Sequence, residues 1–510
     1  MFFMTARIGI GRRSKTGING TMSEKIGFNG EFIPNAKWYA LNGRDSNTAV
    51  PDVPGRATCL YFGATHLLDE VAKASGVTDD LQLCFPDAYK QIFSLAYYLV
   101  LEGGISISRF SGWAHDHSHS QRHELSSQLI SDIVLQIPEH AKLDFFRQRS
   151  SRIVNGEYLV YDTTSVSSYS EAIRAARYGK NKDDDSLPQV NIALLVWKQS
   201  ALPVYYGILP GNIADVSTIN RLVSDVAFIN IQKLCIVMDS GFFSTSNTDA
   251  LFATSQAFVV GAKASTKSIE RYIDMARTVG KRFRNFADKH GVYSFTYTAE
   301  WPVEGGKYCE SARNTKRLYV HVYFDGTRAE DEKIEFMRSV ERTTATICAG
   351  ERLSSRQDMI RRKFIVSGSR IEFNEKAIHD HMDRIGYFAL ICNGMDSAPE
   401  ALEAYRWKDV VEKAFDNCHD AVESRRSGVH SDAALGGTVF VQFVALILIS
   451  YIQKRMRNSG LFKNYTMQSL FDTLDVIERC EYNGQSNYSE ITNKQRELYA
   501  SLGLSAPDTL

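Results

Sequence analysis

The sequence lacks several features that mark whole classes of protein. Lys and Arg together number 59, and so do Asp and Glu, so no excess of positive charge points to a nucleic-acid binder and only local patches could provide one. None of the eight cysteines forms a CxxC pair, which argues against a zinc ribbon and predicts reduced thiols in a cytosolic compartment. The chain also contains no internal repeat and no low-complexity tract.

Long apolar runs are missing as well. Residues 1–20 contain no sustained apolar segment of the kind that a signal peptide needs. The most apolar stretch, residues 439–452, is shorter than the roughly 20 residues that span a bilayer, and it includes Gln442. This stretch therefore predicts a buried core helix, and no membrane partner is expected.

Hydrophobic periodicity divides the chain into segments of different character. Apolar residues recur three and four apart in the second segment, as in helices, and short runs rich in Val, Ile, Leu and Tyr in the third predict strands of a mixed α/β sheet. The fourth segment is charged and uneven, with candidate strands beside a charged helix, and resembles an insertion. The predicted segments are a flexible 1–55, a helical 56–150, a sheet-forming 151–264, an insertion 265–385, a return to the core 386–450 and a helical 451–510.

Three acidic residues stand where chemistry is expected. Asp162 ends the apolar run "EYLVYD", Asp239 ends "KLCIVMD", and Glu412 lies in the strongly helical "EAYRWKDVVEKAF". A single Asp at a strand end is usually a turn or cap residue. Two of them at neighbouring strand ends would repel each other, and a divalent cation removes that penalty. Two Mg²⁺ ions roughly 3.5–4 Å apart could then activate a hydroxyl and stabilise a leaving oxygen in phosphodiester chemistry.

A polar stripe surrounds Glu412. Tyr405, Lys408, Glu412 and His419 are spaced by three, four and seven residues, which places them on one face of an α-helix. Taken alone, such a stripe is a solvated helix face with one favourable charge pair.

These residues together resemble a known family. The stretches "YDTTSVSSYS", "DSLPQVNIAL", "LPGNIADVSTI" and "MDSGFFS", followed by "YRWKDVVEKAFDNCH", resemble the motifs of bacterial insertion-sequence transposases of the DDE type, in the group named after insertion sequence four. The resemblance covers roughly residues 60–505. It implies an RNase H-like catalytic core with a helical N-terminal DNA-binding domain and a β-containing insertion before the helix of the catalytic Glu.

The resemblance also implies an activity. Asp162, Asp239 and Glu412 would be the catalytic residues and the ligands of Mg²⁺, with Mn²⁺ as an alternative ion. The protein would cleave DNA at the terminal inverted repeats of its element and join the freed 3′-hydroxyl to target DNA. A synaptic homodimer is expected because two element ends must be held together, and the expected location is the bacterial cytoplasm, in association with the nucleoid.

The DNA contacts implied by the resemblance include two departures from the family pattern. Lys408 stands where the family has Arg and loses its bidentate fork, and His419 stands where the family has Lys. Tyr405, Lys408, Arg406, His419 and Asn212 are the predicted DNA-binding residues. Two alternatives remain open: an RNase H-like nuclease without strand transfer, and a DNA-binding regulator derived from a transposase.

Several polar clusters can be interpreted either as solvated surface or as a binding site for metal or DNA. "HDHSHSQRH" at 115–123 is interpreted as a solvated loop in preference to a zinc site. Basic clusters could contact phosphates, although each alone is typical of a solvated surface. They are "RRSK" at 12–15, "RQRSSR" at 147–152, "KRFR" at 281–284 and "KRMR" at 454–457.

Overall fold

The computed structural model describes most of the chain from residue 58 onward. It covers Lys25–Ile26, Phe32–Ile33 and 58–507, with gaps at 104–106, 122–124, 153–157, 169, 171, 179–186, 199–200, 213–218, 220, 223–224, 226–234, 254–256, 303–314, 368–370, 407–425, 428–430 and 483–484. The chain forms two compact units, a small one of Met1–Thr58 with Cys480–Ser486 and a large one of Cys59–Arg479 with Asn487–Leu510. In the small unit, strands β1 (Lys25–Ile26) and β2 (Phe32–Ile33) pair antiparallel.

The remaining strands and helices follow in chain order. The strands are β3 (Thr58–Tyr61), β4 (Tyr158–Ser168), β5 (Gln189–Trp197), β6 (Pro203–Pro210), β7 (Cys235–Met238), β8 (Ala257–Ala262), β9 (Phe286–Ala287), β10 (Val292–Pro302), β11 (Thr315–Asp325), β12 (Ile365–Ser367), β13 (Ile371–Phe373), β14 (Tyr387–Cys392), β15 (Arg426–Ser427), β16 (Glu478–Tyr482) and β17 (Gln485–Tyr488). The helices are α1 (Gly63–Ala74), α2 (Val77–Cys84), α3 (Tyr89–Glu102), α4 (Phe110–Asp116), α5 (Ser127–Gln136), α6 (Glu139–Ser151), α7 (Thr245–Ala253), α8 (Lys267–Val279), α9 (Gly326–Cys348), α10 (Ser355–Phe364), α11 (Glu375–Met382), α12 (Ala398–Arg406), α13 (Asp432–Asn458), α14 (Met467–Asp475) and α15 (Asn493–Ser501).

A central mixed sheet gives the large unit its RNase H-like fold. Strands β6, β5 and β4 pair antiparallel, and β4, β7 and β8 pair parallel, which gives the order β6-β5-β4-β7-β8. The hydrophobic runs of β7 and β8 are buried, as expected for parallel strands covered by helices on both faces. The predicted α/β fold class, an RNase H-like mixed sheet flanked by helices, is confirmed.

The same sheet continues into the predicted insertion. Strand β14 pairs antiparallel with β8, β11 with β14, and β10 with β11, so β10 and β11 extend the central sheet. Beyond them, the charged helix predicted in this segment is α9, whose first turn is capped by the Asp325 carboxylate accepting from the Arg328 N–H. Helix α10 packs beside it through the rings of Phe336 and Phe364, whose centroids are 5.0 Å apart.

Helix α13 joins the sheet to the N-terminal helices. Ser431 caps its first turn, and its apolar side chains are buried against α3, α5 and β6. Phe443 contacts the ring of Phe146 on α6 at 5.5 Å and the ring of Tyr206 on β6 at 5.1 Å. The N-terminal helices and the sheet therefore share one hydrophobic core.

The length of α13 differs from the prediction. The helix has 27 residues, which is long and apolar enough to cross a membrane by length and composition. However, 78% of its most apolar 18-residue window is buried inside the protein. The prediction of a buried core helix is confirmed, and the predicted bounds 439–452 were too short.

The cysteines follow the prediction only in part. Cys84, Cys235, Cys348 and Cys392 are free thiols. Burial raises the pKa of Cys84 to about 11 and that of Cys392 to about 12, so both stay protonated at neutral pH and are poor nucleophiles. The predicted reduced state is wrong for Cys59 and Cys480, which are disulfide-bonded, because spacing along the chain does not reveal distant partners.

His117 and His119, in the histidine-rich stretch predicted to be a solvated loop, are partly buried and packed. His117 stacks on the Trp113 ring at 4.6 Å, and its Nε2 lies 3.1 Å from Asp475 Oδ2 on α14. Burial acts to lower the pKa of His117, but hydrogen bonds to Asp475 and to the Trp113 carbonyl raise it, and the net direction is upward. His119 Nδ1 lies 3.1 Å from Ser94 Oγ, and burial lowers the pKa of His119 to about 4.

His119 predicts a loss of stability in mild acid. An unfolded His titrates near 6.5, so between pH 6.5 and about 4 the unfolded chain binds a proton that the folded chain does not, and stability falls as the pH falls. Replacing His119 with Gln should narrow the gap between the melting temperatures at pH 7.5 and pH 5.0 by about 1–2 °C, which corresponds to roughly 1–2 kcal/mol in a chain of this size. Thermal melts of His115→Gln, which changes an exposed neighbour, are the control. An unchanged gap in His119→Gln would contradict the assignment.

Candidate active site

Asp162 and Asp239 lie on the neighbouring parallel strands β4 and β7. Asp239 directly follows β7, as predicted, but the prediction that Asp162 ends its strand is wrong, because β4 continues along β5 to Ser168. In the parallel pairing of β4 with β7, Leu159 faces Ile236 and Val160 faces Val237. Continuing that register by two residues on each strand brings Asp162 beside Asp239, on the same face and about 4.8 Å apart along the pairing direction. Both residues are partly buried. Two of the three predicted catalytic acids therefore come together.

The turn after β7 holds Asp239 in place. The Phe242 N–H donates to the Asp239 carbonyl at 3.1 Å and closes a short 3₁₀ turn, Ser240–Phe242. Phe242 is buried against the Tyr161 ring at 5.2 Å, and its own carbonyl accepts from Asn247 Nδ2 at 2.7 Å. This anchoring fixes the backbone of Asp239 relative to β4. On β4, Asp162 Oδ1 accepts from the Thr163 N–H at 2.8 Å.

Tyr405 contacts the acid pair directly. Its Oη donates to Asp239 Oδ1 at 2.8 Å from the last turn of α12. Sequence reasoning predicted Tyr405 as a DNA contact, and the structure places it on a carboxylate. A hydroxyl donor to an ionised carboxylate makes a stronger hydrogen bond than a neutral pair, so Tyr405 orients Asp239.

Gly261 makes room for that contact and was missed by sequence reasoning. It follows Val260, the partner of Met238, and so lies beside Asp239 in the register of β7 and β8. A Cβ added to Gly261 would lie 2.6 Å from Tyr405 Oη and 3.0 Å from the Ser240 nitrogen. The signal was present in "FVVGAK", because a glycine inside a strand often marks a close approach.

Replacing Gly261 with Ala should therefore lower activity by displacing Tyr405. The DNA cleavage that the family resemblance implies should be about 10- to 100-fold slower in Gly261→Ala and in Tyr405→Phe, because each breaks a charge-assisted hydrogen bond worth roughly 1.5–3 kcal/mol. The double variant should lose less than the product of the two, since both changes break one contact. Cleavage rates across a range of metal concentrations should also show a higher half-saturating concentration in both variants.

Gly207→Ala is the matched control. Gly207 also lies inside a strand, β6, but a Cβ there would meet Tyr205 Oη at an ordinary 3.4 Å. If Gly261→Ala cleaves DNA as fast as Gly207→Ala, Tyr405 does not orient Asp239.

The other predicted site residues are placed differently. Asn212 is exposed in the turn after β6, beyond the Val190–Pro210 pair, and Val190 faces Val166, four residues along β4 from Asp162. It is therefore not brought together with the acid pair. Arg406 is exposed at the end of α12, where its Nη2 donates to the His290 carbonyl at 3.3 Å. Glu412, Lys408 and His419 lie outside the described residues.

One predicted basic cluster is structural. Arg149 is buried and donates to Asp80 Oδ2 at 3.1 Å and to the Ser75 carbonyl at 2.8 Å. Arg152 donates to the same carboxylate at 2.7 Å, and the Arg147 side chain pairs with Asp144. The interpretation of 147–152 as DNA contacts or a solvated surface is wrong for Arg149, whose partners lie on α2 and in the turn before it.

The chain has little similarity to curated proteins or to the solved structure described below. No curated protein matches the sequence at a significant level. Among solved structures, the cryo-EM structure of the piggyBac transposase synaptic complex with hairpin DNA is 10% identical, with a TM-score of 0.38, over 81% of this chain and 78% of that chain. A TM-score of 0.38 does not support a fold assignment, and the RNase H-like fold is assigned from the strand order alone.

The family itself is shown by sequence. The model of the family described as "Transposase DDE domain" matches residues 156–448. That range is more than half of the chain and includes Asp162, Asp239 and the predicted Glu412. The chain therefore belongs to the transposase DDE domain family.

Proposed function

We propose that the protein is a DDE transposase of the group named after insertion sequence four. It cleaves DNA at the ends of its element and joins them to target DNA. The observation that carries the proposal is the pair formed by Asp162 within β4 and Asp239 directly after β7, which the strand register sets opposite each other in the segment that matches the family. The partners are the terminal inverted repeats and the target DNA, held by a synaptic homodimer.

The donor set of the acid pair fits a hard divalent cation. Two carboxylates this close repel each other when both are ionised, and oxygen donors are what Mg²⁺ prefers. Asp162, Asp239 and Glu412 would hold two Mg²⁺ ions, with Mn²⁺ as a substitute. When bound, the ions would supply activation of the attacking hydroxyl and stabilisation of the leaving oxygen.

The reaction has two balanced steps. A water oxygen bonds to the phosphorus at the element's end as the bond to the 3′-oxygen breaks, which leaves a 3′-hydroxyl on the element. That hydroxyl then bonds to a target phosphorus as the target's own 3′-oxygen departs. Tyr405 keeps Asp239 oriented through both steps. Lys408, His419, Arg406 and Asn212 are proposed to hold DNA phosphates near the cut.

An excision and joining experiment tests the proposal. A plasmid carries a marker between the DNA segments that flank this reading frame, and purified protein is added with Mg²⁺ and a second plasmid as target. We expect cuts at the boundary of inverted repeats and joined products bracketed by short target duplications. Addition of a chelator should abolish both.

Each alternative gives a different result. A nuclease of the same fold would cut the ends without forming joined products. A transposase-derived regulator would bind the ends and leave them intact in Mg²⁺ and in Mn²⁺. Either result with correctly folded protein would overturn the proposal.

A further inference from the structure

One short turn presents an aromatic ring to solvent among positive charges. Phe283 opens the 3₁₀ turn Phe283–Asn285, and its side chain is 92% exposed, more than any other large hydrophobic residue of the described chain. Arg282 and Arg284 on either side are exposed, and within the described residues neither side chain forms an ion pair or hydrogen bond. We refer to Lys281–Arg284 as the Phe283 turn.

Aromatic packing holds the Phe283 turn in place, so its conformation keeps the Phe283 ring exposed. Four aromatic residues are direct partners across β9, β10, β11 and β14: Phe286, Tyr293, Phe324 and Tyr387. Their successive ring centroids are 5.2, 6.4 and 4.9 Å apart. Lys281 Nζ lies 3.4 Å from the centroid of the Phe324 ring, a cation–π contact that fastens the turn to this row.

The Phe283 turn lies on the side of the sheet where the carboxyl ends of β7 and β8 lie, which is also where Asp239 follows β7. Strand β14 runs antiparallel to β8, with Ala389 facing Ala262, so Tyr387 extends beyond the carboxyl end of β8. Tyr387 and its partners in β11, β10 and β9 continue this edge. From β7 to β9 are five strand spacings, roughly 24 Å. About seven base pairs of DNA cover that length at 3.4 Å each.

Two contacts also tie this region to the helix that carries Tyr405. Lys289 Nζ lies 2.8 Å from Glu403 Oε2, and Arg406 donates to the His290 carbonyl. Residues 289 and 290 belong to the connection between β9 and β10. The strands behind the Phe283 turn are therefore joined to α12 and, through Tyr405, to Asp239.

We propose that the Phe283 turn is a DNA-contacting element in which Arg282 and Arg284 hold phosphates and the Phe283 ring stacks on a base about seven base pairs from the cleaved bond. The inference rests on the proposed function for the identity of the DNA. Charge selects this occupant: an exposed aromatic ring between two exposed arginines suits a polyanion between whose bases an apolar side chain can insert. An apolar protein partner would have to desolvate those cations.

The test separates stacking from phosphate binding. The probe is a duplex of the element's end carrying 2-aminopurine at successive positions from the cut to about ten base pairs away, bound at several salt concentrations. Phe283→Ala should weaken binding about 10-fold, the loss of one stacked base, and should change the 2-aminopurine fluorescence at one position without changing the salt slope. Arg282→Gln with Arg284→Gln should instead lower the slope of log affinity against log salt by about 2.

Controls and other outcomes are distinct. Met359→Ala removes a 65% exposed side chain on α10 and should leave both readouts unchanged, whereas Phe283→Trp should retain binding. Wild-type affinity and fluorescence in Phe283→Ala would overturn the inference. A change only in the sedimentation of the DNA-free protein would also overturn it, because it would show that Phe283 contacts a second copy of the chain. If the wild-type protein binds the element's end without cutting it, the proposed function fails. The affinity and fluorescence measurements still test the stacking, because they do not depend on cleavage.

Discussion

Replacing Asp239 with Asn is expected to reduce end cleavage by on the order of 10³-fold or more while DNA binding persists. Asn keeps the size and hydrogen-bonding capacity of the side chain, including the contact from Tyr405, but removes the charge that a metal ligand needs. Asp162→Asn should behave in the same way because the register sets it beside Asp239. Gel assays of cleavage and binding on the same DNA measure both quantities.

A stability readout separates catalytic from structural acids. Removing one of two adjacent carboxylates relieves repulsion, so the melting temperature without metal should stay level or rise in both variants. Millimolar Mg²⁺ should raise the melting temperature of the wild type more than that of either variant, because a ligand stabilises only the state that binds it.

Asp396→Asn is the matched control. Asp396 is an exposed acid after β14, an antiparallel strand that ends at the opposite edge of the sheet. This variant should cleave at the wild-type rate. Cleavage by Asp239→Asn at that same rate would refute the assignment of Asp239.

Replacing Asp80 with Ala should destabilise the protein by about 3–5 kcal/mol. Asp80 and Arg149 are 3% and 4% exposed, and the variant leaves the Arg149 guanidinium buried without its carboxylate. Burial already lowers the pKa of Arg149, and the Asp80 charge opposes that effect. Arg152 also loses its partner, but it is 40% exposed and can turn towards water. Urea unfolding followed by circular dichroism measures the loss.

Two variants make the Asp80 prediction specific. Asp79→Ala changes the exposed neighbour in the same first turn of α2 and should cost well under 1 kcal/mol. Adding Arg149→Met to Asp80→Ala should restore part of the stability, because it removes the uncompensated charge. If Asp80→Ala unfolds at the same urea concentration as Asp79→Ala, the buried ion pair does not stabilise the fold.

The sequence predicted the parts of the fold that local pattern controls. The strand end at Asp239 could be read from a short apolar run that stops at an acid. The same reading ended the other strand at Asp162 when β4 continues to Ser168, because its polar second half has no apolar signal and is held by pairing with β5. The charged helix α9 and the apolar helix α13 could be read from their periodicity. The bounds of α13 were misjudged because Gly436 and Gly437 interrupt the apolar run, although a Ser431 cap and buried packing extend the helix over them.

Contacts between distant residues could not be predicted. Spacing placed Tyr405 on a helix face, but its partner Asp239 is 166 residues away. In the same way, Arg149 looked solvent-exposed because Asp80, its partner, is 69 residues away. The strands of the insertion looked like a separate element because β14, which joins them to β8, follows them in the chain. Pattern alone does not report which segments meet.

Iron-mediated cleavage of the polypeptide tests the central claim most directly. Fe²⁺ that replaces Mg²⁺ reduces added hydrogen peroxide to hydroxide and a hydroxyl radical, and ascorbate returns the Fe³⁺ to Fe²⁺. The radicals cut the backbone near the bound metal, and mass spectrometry maps the cuts. We predict cuts close to residues 162, 239 and 412 that Mg²⁺ suppresses and that Asp162→Asn with Asp239→Asn abolishes. Cuts that avoid residues 162 and 239, or that persist in the double variant, would contradict a metal centre built on these acids.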